Sequence, residues 1–561
     1  MRRIALLSLA LALTACQKAA PPAATPAPVK ETYDASASAD ARRIEADVRF
    51  LADDLLEGRE AGTRGYDLAS LYVAQRFRAM GLAPAGEDGS YYQRVPMLRG
   101  VLQAEGNELA IARDGTTRAL RFRDEFLPSA NLNEAQAAVE APAVFVGQGV
   151  YAPELQQDDF AGVDVKGKIA VLFNGAPARF DNDRRAFYSS RRTKAEELVR
   201  RGAIGAIVVQ TDDEEKQSPW TRFAGNWNRP SMRLRGEDGK GVDTFPELRV
   251  SAMVSAAAAD ALLSGGGRNA AQLFQALRDG KLPAFDLPGT VSLRAHTQIT
   301  PVDSRNVVAR IDGRDAAKKN EFVVFSAHLD HVGIGAPVDG DAIYNGALDN
   351  ALGIAVMLEA ANRLAHGDTP TQRSLLFVAV TAEEKGLLGA EWFAQHPTVP
   401  AGSLVANVNM DMPMLLAPTR DVVPIGIEHS SLQGVVEQAA KEIGVALSPD
   451  PSPEEVVFVR SDQYAFIRAG VPAVYLDGGY QGVDGDAKKV QEDFLRQRYH
   501  QPGDDLSQPI QYGDAARLAE LNARIGRRIA DAPQRPAWNA GDFFGEKFGT
   551  PAKTGSAKAA D

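Results

Sequence analysis

Cysteine is nearly absent from this sequence of 561 residues, because Cys16 is its only instance. A chain with one cysteine near its start has no internal disulfide to stabilise its folded part. Positive charge is also in short supply, since 62 Lys and Arg residues against 73 Asp and Glu residues leave a net charge of -11. Without a long basic block to offset that charge, the composition argues against a nucleic-acid-binding protein.

Several local motifs of enzyme classes are missing as well. The sequence has no G-x-x-x-x-G-K-[ST] phosphate loop, and the glycine run "SGGGRNAAQ" lacks the required lysine. Neither the G-x-S-x-G elbow of serine hydrolases nor the H-E-x-x-H helix of many zinc proteases occurs. Phosphate-loop, serine-nucleophile and H-E-x-x-H mechanisms therefore have no support in the sequence.

The first 40 residues differ in character from the rest. Two arginines precede an apolar run that is too short to span a bilayer, and this run ends in "LTAC" at Cys16. That ending resembles the lipobox of bacterial lipoproteins, in which the cysteine is lipidated. The resemblance implies a signal peptide over 1–15, and a lipidated cysteine with a Pro/Ala-rich tether over 16–40. We expect an exported protein that contacts a membrane only through this anchor, at the outer membrane, with a periplasmic or secreted protein as the alternative.

Strand and helix patterns alternate through the remaining chain. The segments "VKGKIAVLF", "RTKAEELVRRGA" and "IGAIVVQ" predict a small strand–helix–strand unit within an inserted domain. Longer units follow it, with the strands "EFVVFSA", "RSLLFVAVT", "LVANVNM" and "PAVYLD" and the helix "NALGIAVMLEAANRLAHG". Because the strands are continuously apolar, we predict an α/β fold with a largely parallel, mixed sheet flanked by helices.

Residues that commonly ligate metals follow these strands. Since the carboxyl ends of parallel strands meet at one edge of a sheet, we expect these side chains to lie close together. Two imidazoles and three carboxylates form a ligand set for two zinc-like ions, and a further glutamate could accept a proton from water. The candidates are His328 and Asp330 in "HLDH", Asp349 in "LDN", Glu383 and Glu384 in "AEE", Asp411 in "MDM", and His500 in "YHQPGDD".

This series of five motifs resembles the M28 family of dinuclear zinc peptidases. The likeness extends to "LLEGREAGTRGYDLASLYVAQRF" and "SDQYAFIRAGVPAVYL", while "DDFAGVDVKGKIAVLF" and "AIGAIVV" resemble a protease-associated (PA) domain. The resemblance implies a zinc-exopeptidase fold whose peptidase domain is interrupted by a β-rich α/β insert. Its expected divisions are 41–127 for the first part of the peptidase domain, 128–288 for the PA-like insert, 289–535 for the catalytic domain and 536–561 for a disordered tail.

The same resemblance assigns roles to the candidate residues. His331 is given at most a supporting role, and the peptide bond between Asp349 and Asn350 is expected to be cis. Two zinc ions or similar divalent metals are the expected cofactors. The implied assignment is one metal on His328 and Asp411, the other on Glu384 and His500, Asp349 as the bridge, Glu383 as general base and proton donor, and Asp330 as the carboxylate that orients His328.

The function implied is removal of N-terminal residues from peptides by a metallo-aminopeptidase. A carboxypeptidase of the same superfamily is the alternative, which needs a cation for the substrate carboxylate, and Arg460 and Arg468 are the candidates. A transferase resembling glutaminyl cyclases is disfavoured, because such relatives commonly use one metal and have no such insert. A non-catalytic binding protein with the peptidase fold is disfavoured by the complete ligand set.

Overall fold

The computed structural model describes residues 36–265 and 267–549. The predicted signal peptide, the lipidated cysteine and most of the tether lie outside these residues. Two β-sheets organise the described part, and the 28-residue strand Ala284–Ile311 runs through both of them. Its residues 284–296 pair within one sheet, which we call the insert sheet, and its residues 297–311 pair within the larger sheet.

Four parallel strands form the centre of the larger sheet. In spatial order they are Ser374–Val380, Phe322–His328, Leu404–Asn409 and Ala473–Gly478. Every residue of the first two is buried, which explains why they read as continuous apolar runs. The predicted largely parallel, mixed sheet is confirmed. Antiparallel or short strands extend it on both sides: Ala83–Pro84, Tyr92–Leu102, Ser231–Leu234, Asp421–Ile425 and Ala446–Leu447.

Helices cover both faces of the larger sheet. The predicted apolar helix is present as Gly353–Ala365, and it packs with Tyr512–Asp531 and Ala39–Leu51 in the main hydrophobic core. On the opposite face, Leu388–Gln395 and Gln463–Arg468 bury phenylalanines against the strands. Packing on both faces leaves the ends of the strands as the place where polar side chains can meet.

The insert sheet forms a second layer with its own core. The predicted strand–helix–strand unit is confirmed as Ile169–Phe173, Arg191–Arg200 and Gly205–Val209, with the two strands parallel. Leu198 on this helix packs against the sheet. The remaining strands of the insert sheet are Glu108–Arg113, Thr116–Ala119, Phe126–Pro128, Gln136–Val146 and Val250–Val254.

The predicted disordered tail is wrong for residues 536–549. Helix Phe543–Phe548 ends the described chain, and its Phe544 is fully buried among aromatic residues.

No helix within 36–265 and 267–549 combines the length and apolarity needed to cross a bilayer. The other helices are Arg64–Ala79, Asn182–Ser189, Asp212–Gln217, Trp220–Gly225, Ala259–Leu263, Ala270–Arg278, Leu432–Ile443 and Ala487–Gln497.

Candidate metal centre

A first cluster of ligand atoms forms where the strand Phe322–His328 ends. The Nε2 atom of His328 lies 2.9 Å from Oδ1 of Asp411 and 3.3 Å from Oδ1 of Asp349. His328 and Asp349 are buried, and Asp411 is half-buried. Two carboxylates that converge on one imidazole nitrogen form a group that could hold a metal ion.

A second cluster uses the other oxygen of Asp349. The Nε2 atom of His500 lies 3.2 Å from Oδ2 of Asp349 and 3.1 Å from Oε2 of Glu384. Asp349 therefore directs one carboxylate oxygen into each cluster. The structure thus brings together the five side chains that the resemblance implies as ligands.

His331 enters the second cluster, although the sequence interpretation gave it at most a supporting role. Its Nδ1 atom lies 2.8 Å from Oε1 of Glu384 and 3.8 Å from Oδ2 of Asp349. These three residues also form a group that could hold a metal ion. The signal in the sequence was the second histidine of "HLDH", three positions after His328.

Unpartnered atoms in this cluster fit a bound cation. Both ring nitrogens of His331 and Oε1 of Glu384 are buried and have no hydrogen-bond partner within the described residues. The 2.8 Å approach of the two side chains therefore lacks the alignment of a hydrogen bond. Buried polar atoms are normally paired, and a shared cation would satisfy these lone pairs.

Backbone contacts hold Asp349 in place. The carboxylate of Asp504 accepts hydrogen bonds from the backbone amides of Leu348 at 2.8 Å and Asp349 at 3.0 Å. The peptide bond from Asp349 to Asn350 is cis, as the resemblance implied. Asp504 belongs to the quoted motif "YHQPGDD", but sequence reasoning gave it no role.

Arg59 is a second residue that sequence reasoning missed. It lies in the segment "EGREAGTRG", which carried part of the resemblance, and its side chain is buried. Its Nε atom donates to the carbonyl of Leu329 at 3.0 Å, and its Nη2 atom donates to the carbonyl of Gly346 at 3.1 Å. Arg59 therefore joins the loop after His328 to the loop before Asp349.

Asp330 contacts different groups from those expected. Its carboxylate accepts hydrogen bonds from the backbone amides of Glu383 at 3.1 Å and Glu384 at 3.3 Å. The Nδ1 atom of His328 instead faces the backbone carbonyl of Asp330 at 3.0 Å. The residue thus orients the imidazole through its main chain, while its carboxylate positions the glutamate pair.

The adjacent glutamates differ in their surroundings. Burial raises the pKa of Glu383 well above its usual value, and the charges of Asp411 and Glu384 add to this rise against the opposing effect of His328. Burial acts in the same direction on Glu384, but His500 and His331 hold its pKa well below the usual value. Burial and the neighbouring charges together therefore favour proton uptake by Glu383 and the charged form of Glu384.

Asp462 adds another buried carboxylate beside the first cluster. Neither of its oxygens has a hydrogen-bond partner among the described residues. Burial raises its pKa well above the usual value, with a further contribution from Asp411 and an opposing one from His328. The residue stands in the segment "SDQYAF", which carried part of the resemblance, but we assigned it no role from the sequence.

An α/β sheet with these two clusters at its carboxyl edge is an arrangement suited to a metal-dependent hydrolase. Comparison with known families agrees with it. Residues 306–525 match peptidase family M28, and residues 128–262 match the PA domain. The chain therefore carries the M28 peptidase domain with an inserted PA domain.

Two known proteins are similar to parts of this sequence. A probable zinc metalloprotease of Pyrenophora tritici-repentis is 27% identical over 269 residues, which cover 42% of this chain and 59% of that protein. Aminopeptidase YwaD of Bacillus subtilis is 32% identical over 118 residues, which cover 21% of this chain and 23% of that protein. The chain thus covers less than two thirds of either relative.

Solved structures include one that resembles the fold over most of the chain. The aminopeptidase from Aneurinibacillus sp. strain AM-1 aligns with a TM-score of 0.52 at 20% identity, over 88% of this chain and 95% of that one. At this identity the likeness establishes a shared fold, which includes both the peptidase domain and the insert.

Proposed function

We propose that this protein is a zinc-dependent aminopeptidase that uses two metal ions to release N-terminal residues from peptides. The observation that carries the proposal is Asp349, whose two oxygens face His328 and His500 separately. His328 and Asp411 would hold one ion, while Glu384 and His500 would hold the other. Zinc-type ions bound there supply Lewis-acid chemistry, which polarises the scissile carbonyl and makes the attacking water more acidic.

The protein's own residues then carry the proton. The carboxylate of Glu383 accepts a proton from the attacking water and later donates it to the amine that leaves. Its position depends on Asp330, which holds the backbone amides of Glu383 and Glu384 at the end of their strand. This arrangement favours catalysis over the alternative of a binding protein, since a base and a complete ligand set are of no use to simple binding.

The choice between N-terminal and C-terminal cleavage rests on charge. Arg460 and Arg468 were the cations that a carboxypeptidase could use. However, Arg460 pairs with Glu455 at 2.8 Å, and Arg468 pairs with Glu391. Each of these two guanidinium groups already has a carboxylate partner within the protein. The carboxylates around the metal centre instead complement the positive amine of a peptide, which supports the aminopeptidase.

Blocked peptides test this choice. We expect N-acetylation of a peptide to abolish cleavage, and chelation of the metals to abolish hydrolysis of every substrate. Release of the C-terminal residue from an N-acetylated peptide would replace the proposal with a carboxypeptidase. Cleavage of peptides blocked at both ends would reveal an endopeptidase. Full activity of metal-free protein would rule out a metal-dependent aminopeptidase and a metal-dependent carboxypeptidase alike.

We further propose that Cys16 is lipidated and anchors the enzyme at the outer membrane. The support is the "LTAC" sequence and the Pro/Ala-rich segment that follows it. Mass spectrometry of the N-terminal peptide should detect a diacyl or triacyl cysteine, and Cys16→Ser should move the enzyme from the membrane fraction to the soluble fraction. An unmodified cysteine in a soluble wild-type protein would contradict the anchor.

A further inference from the structure

A cleft of about 550 Å³ lies between the PA domain and the metal centre. Its walls include Arg191, Arg222 and Arg229 together with the rings of Phe223 and Trp227, and His500 also lines it. Since His500 is a candidate metal ligand, the cleft is continuous with the proposed reaction site. Its volume lies within the usual range for a small-molecule binding site.

The three arginines carry positive charge that the protein does not neutralise. Within the described residues, none of them forms an ion pair with a carboxylate, whereas Arg192 and Arg235 of the same domain pair with Asp243 and Asp303. A cluster of unpaired cations is conspicuous in a chain whose net charge is -11. The cleft is therefore a local positive site in an acidic protein.

Two of these guanidinium groups are held in position. The guanidinium of Arg229 lies 4.6 Å from the ring centroid of Tyr344, and its Nε and Nη2 atoms are buried without hydrogen-bond partners among the described residues. The Nη2 atom of Arg222 donates to the carbonyl of Tyr499 at 3.3 Å, directly before His500. The first arginine offers unused donors, and the second lies beside a candidate metal ligand.

We propose that this cleft binds a carboxylate group of the substrate on the leaving side of the scissile bond. Guanidinium groups bind carboxylates through charge-assisted, often bidentate hydrogen bonds, and buried unpaired donors favour such a partner. The substrates selected would be short peptides whose C-terminal carboxylate, or whose acidic side chain, reaches the arginines. This inference rests on the proposed aminopeptidase function and names its substrate class.

A matched set of peptides tests the inference on the metal-loaded enzyme. The set is Leu-Gly-Gly with a free carboxylate, its C-terminal amide, Leu-Gly-Glu amide, and leucine anilide, which carries no carboxylate. We expect kcat/KM to be about tenfold or more higher for the free acid than for the amide, as expected for one charge-assisted hydrogen bond. Recovery of the rate with Leu-Gly-Glu amide would assign the recognition to an acidic side chain, and no recovery would assign it to the terminal carboxylate.

Variants link this preference to the cleft. Arg222→Gln and Arg191→Gln change exposed side chains, so the fold should tolerate them, and each should lower the acid-to-amide ratio toward one. Arg278→Gln is the control, because this arginine at the end of helix Ala270–Arg278 already pairs with Asp212 and Asp213, and it should keep the wild-type ratio.

The outcomes separate this inference from the proposed function. The carboxylate site would be overturned if the wild type cleaved the acid and the amide at equal rates, or if both cleft variants kept the wild-type acid-to-amide ratio. In either case, cleavage of leucine anilide would leave the aminopeptidase proposal intact. If the wild type cleaves neither the anilide nor any peptide, the aminopeptidase proposal fails. If the enzyme instead released glycine from the C-terminus of Leu-Gly-Gly, and if the acid-to-amide ratio depended on Arg222, the carboxylate site would be supported and N-terminal cleavage would be overturned.

Discussion

The carboxylate of Asp504 accepts a hydrogen bond from the backbone amide of Asp349 at 3.0 Å, and so fixes the residue that both clusters share. An asparagine at 504 could accept through only one of its two terminal atoms. One of the amides of Leu348 and Asp349 would then lose its partner, and Asp349 would lose part of its orientation. We expect Asp504→Asn to weaken zinc affinity by about 10–100-fold, as changes behind metal ligands typically do.

Competition with a chromophoric chelator measures this affinity directly. Asp505→Asn is the neighbouring control, since Asp505 is bonded to Ser507 and not to the Asp349 backbone. Unchanged zinc affinity in Asp504→Asn would show that the backbone contact does not organise the site.

The two adjacent glutamates should respond differently to the same substitution. Glu383→Gln removes the proton acceptor without removing a ligand, so kcat should fall by about 10²–10⁴-fold while the bound zinc stays at the wild-type level. Glu384→Gln removes a ligand atom from the second cluster, so the zinc content should fall. Elemental analysis and steady-state kinetics of both variants measure the contrast, and equal losses of zinc and rate would refute the division of roles.

His331 should contribute to the affinity of the second cluster, because its unpaired Nδ1 atom lies 2.8 Å from Oε1 of Glu384. We expect His331→Asn to lower the affinity for one of the two zinc equivalents and to leave the other intact. Isothermal titration calorimetry of metal-free protein with zinc measures both binding steps. His396→Asn is the control, since His396 is stacked on Trp392. Two wild-type binding steps in His331→Asn would exclude His331 from the metal site.

Lys194 should make stability depend on pH. Its Nζ atom is buried against the carbonyls of Gln148 and Gly175, and burial lowers the pKa of this lysine from 10.5 to about 7. Between these values the unfolded chain binds a proton that the folded protein releases. The free energy of unfolding should therefore rise with pH above about 7, by up to about 1.4 kcal/mol per pH unit from this group.

Urea unfolding at pH 7.5 and 9 measures this dependence. Lys194→Met should reduce the rise, whereas Lys168→Met, which changes a lysine paired with Asp286, should retain it. An equal pH dependence in wild type and Lys194→Met would contradict the lowered pKa.

The sequence by itself determined the four central strands of the larger sheet and the positions that carry ligand residues. Continuous apolar strands such as Phe322–His328 must be covered on both faces, so the polar residues that follow them collect at one edge. That rule by itself predicts that His328, Asp349 and Asp411 lie close together. It depends only on local patterns and on the geometry of parallel sheets.

Only the tertiary structure decided which atoms face each other. Asp330 directs its carboxylate to the Glu383 backbone and its carbonyl to His328, because the path of the loop sets the direction of each group. The arginine cleft depends on packing across the whole chain, as in the contact between Arg222 and Tyr499, which are 277 positions apart. Periodicity reports which face of an element is buried, but it carries no information about how the PA domain packs against the metal centre.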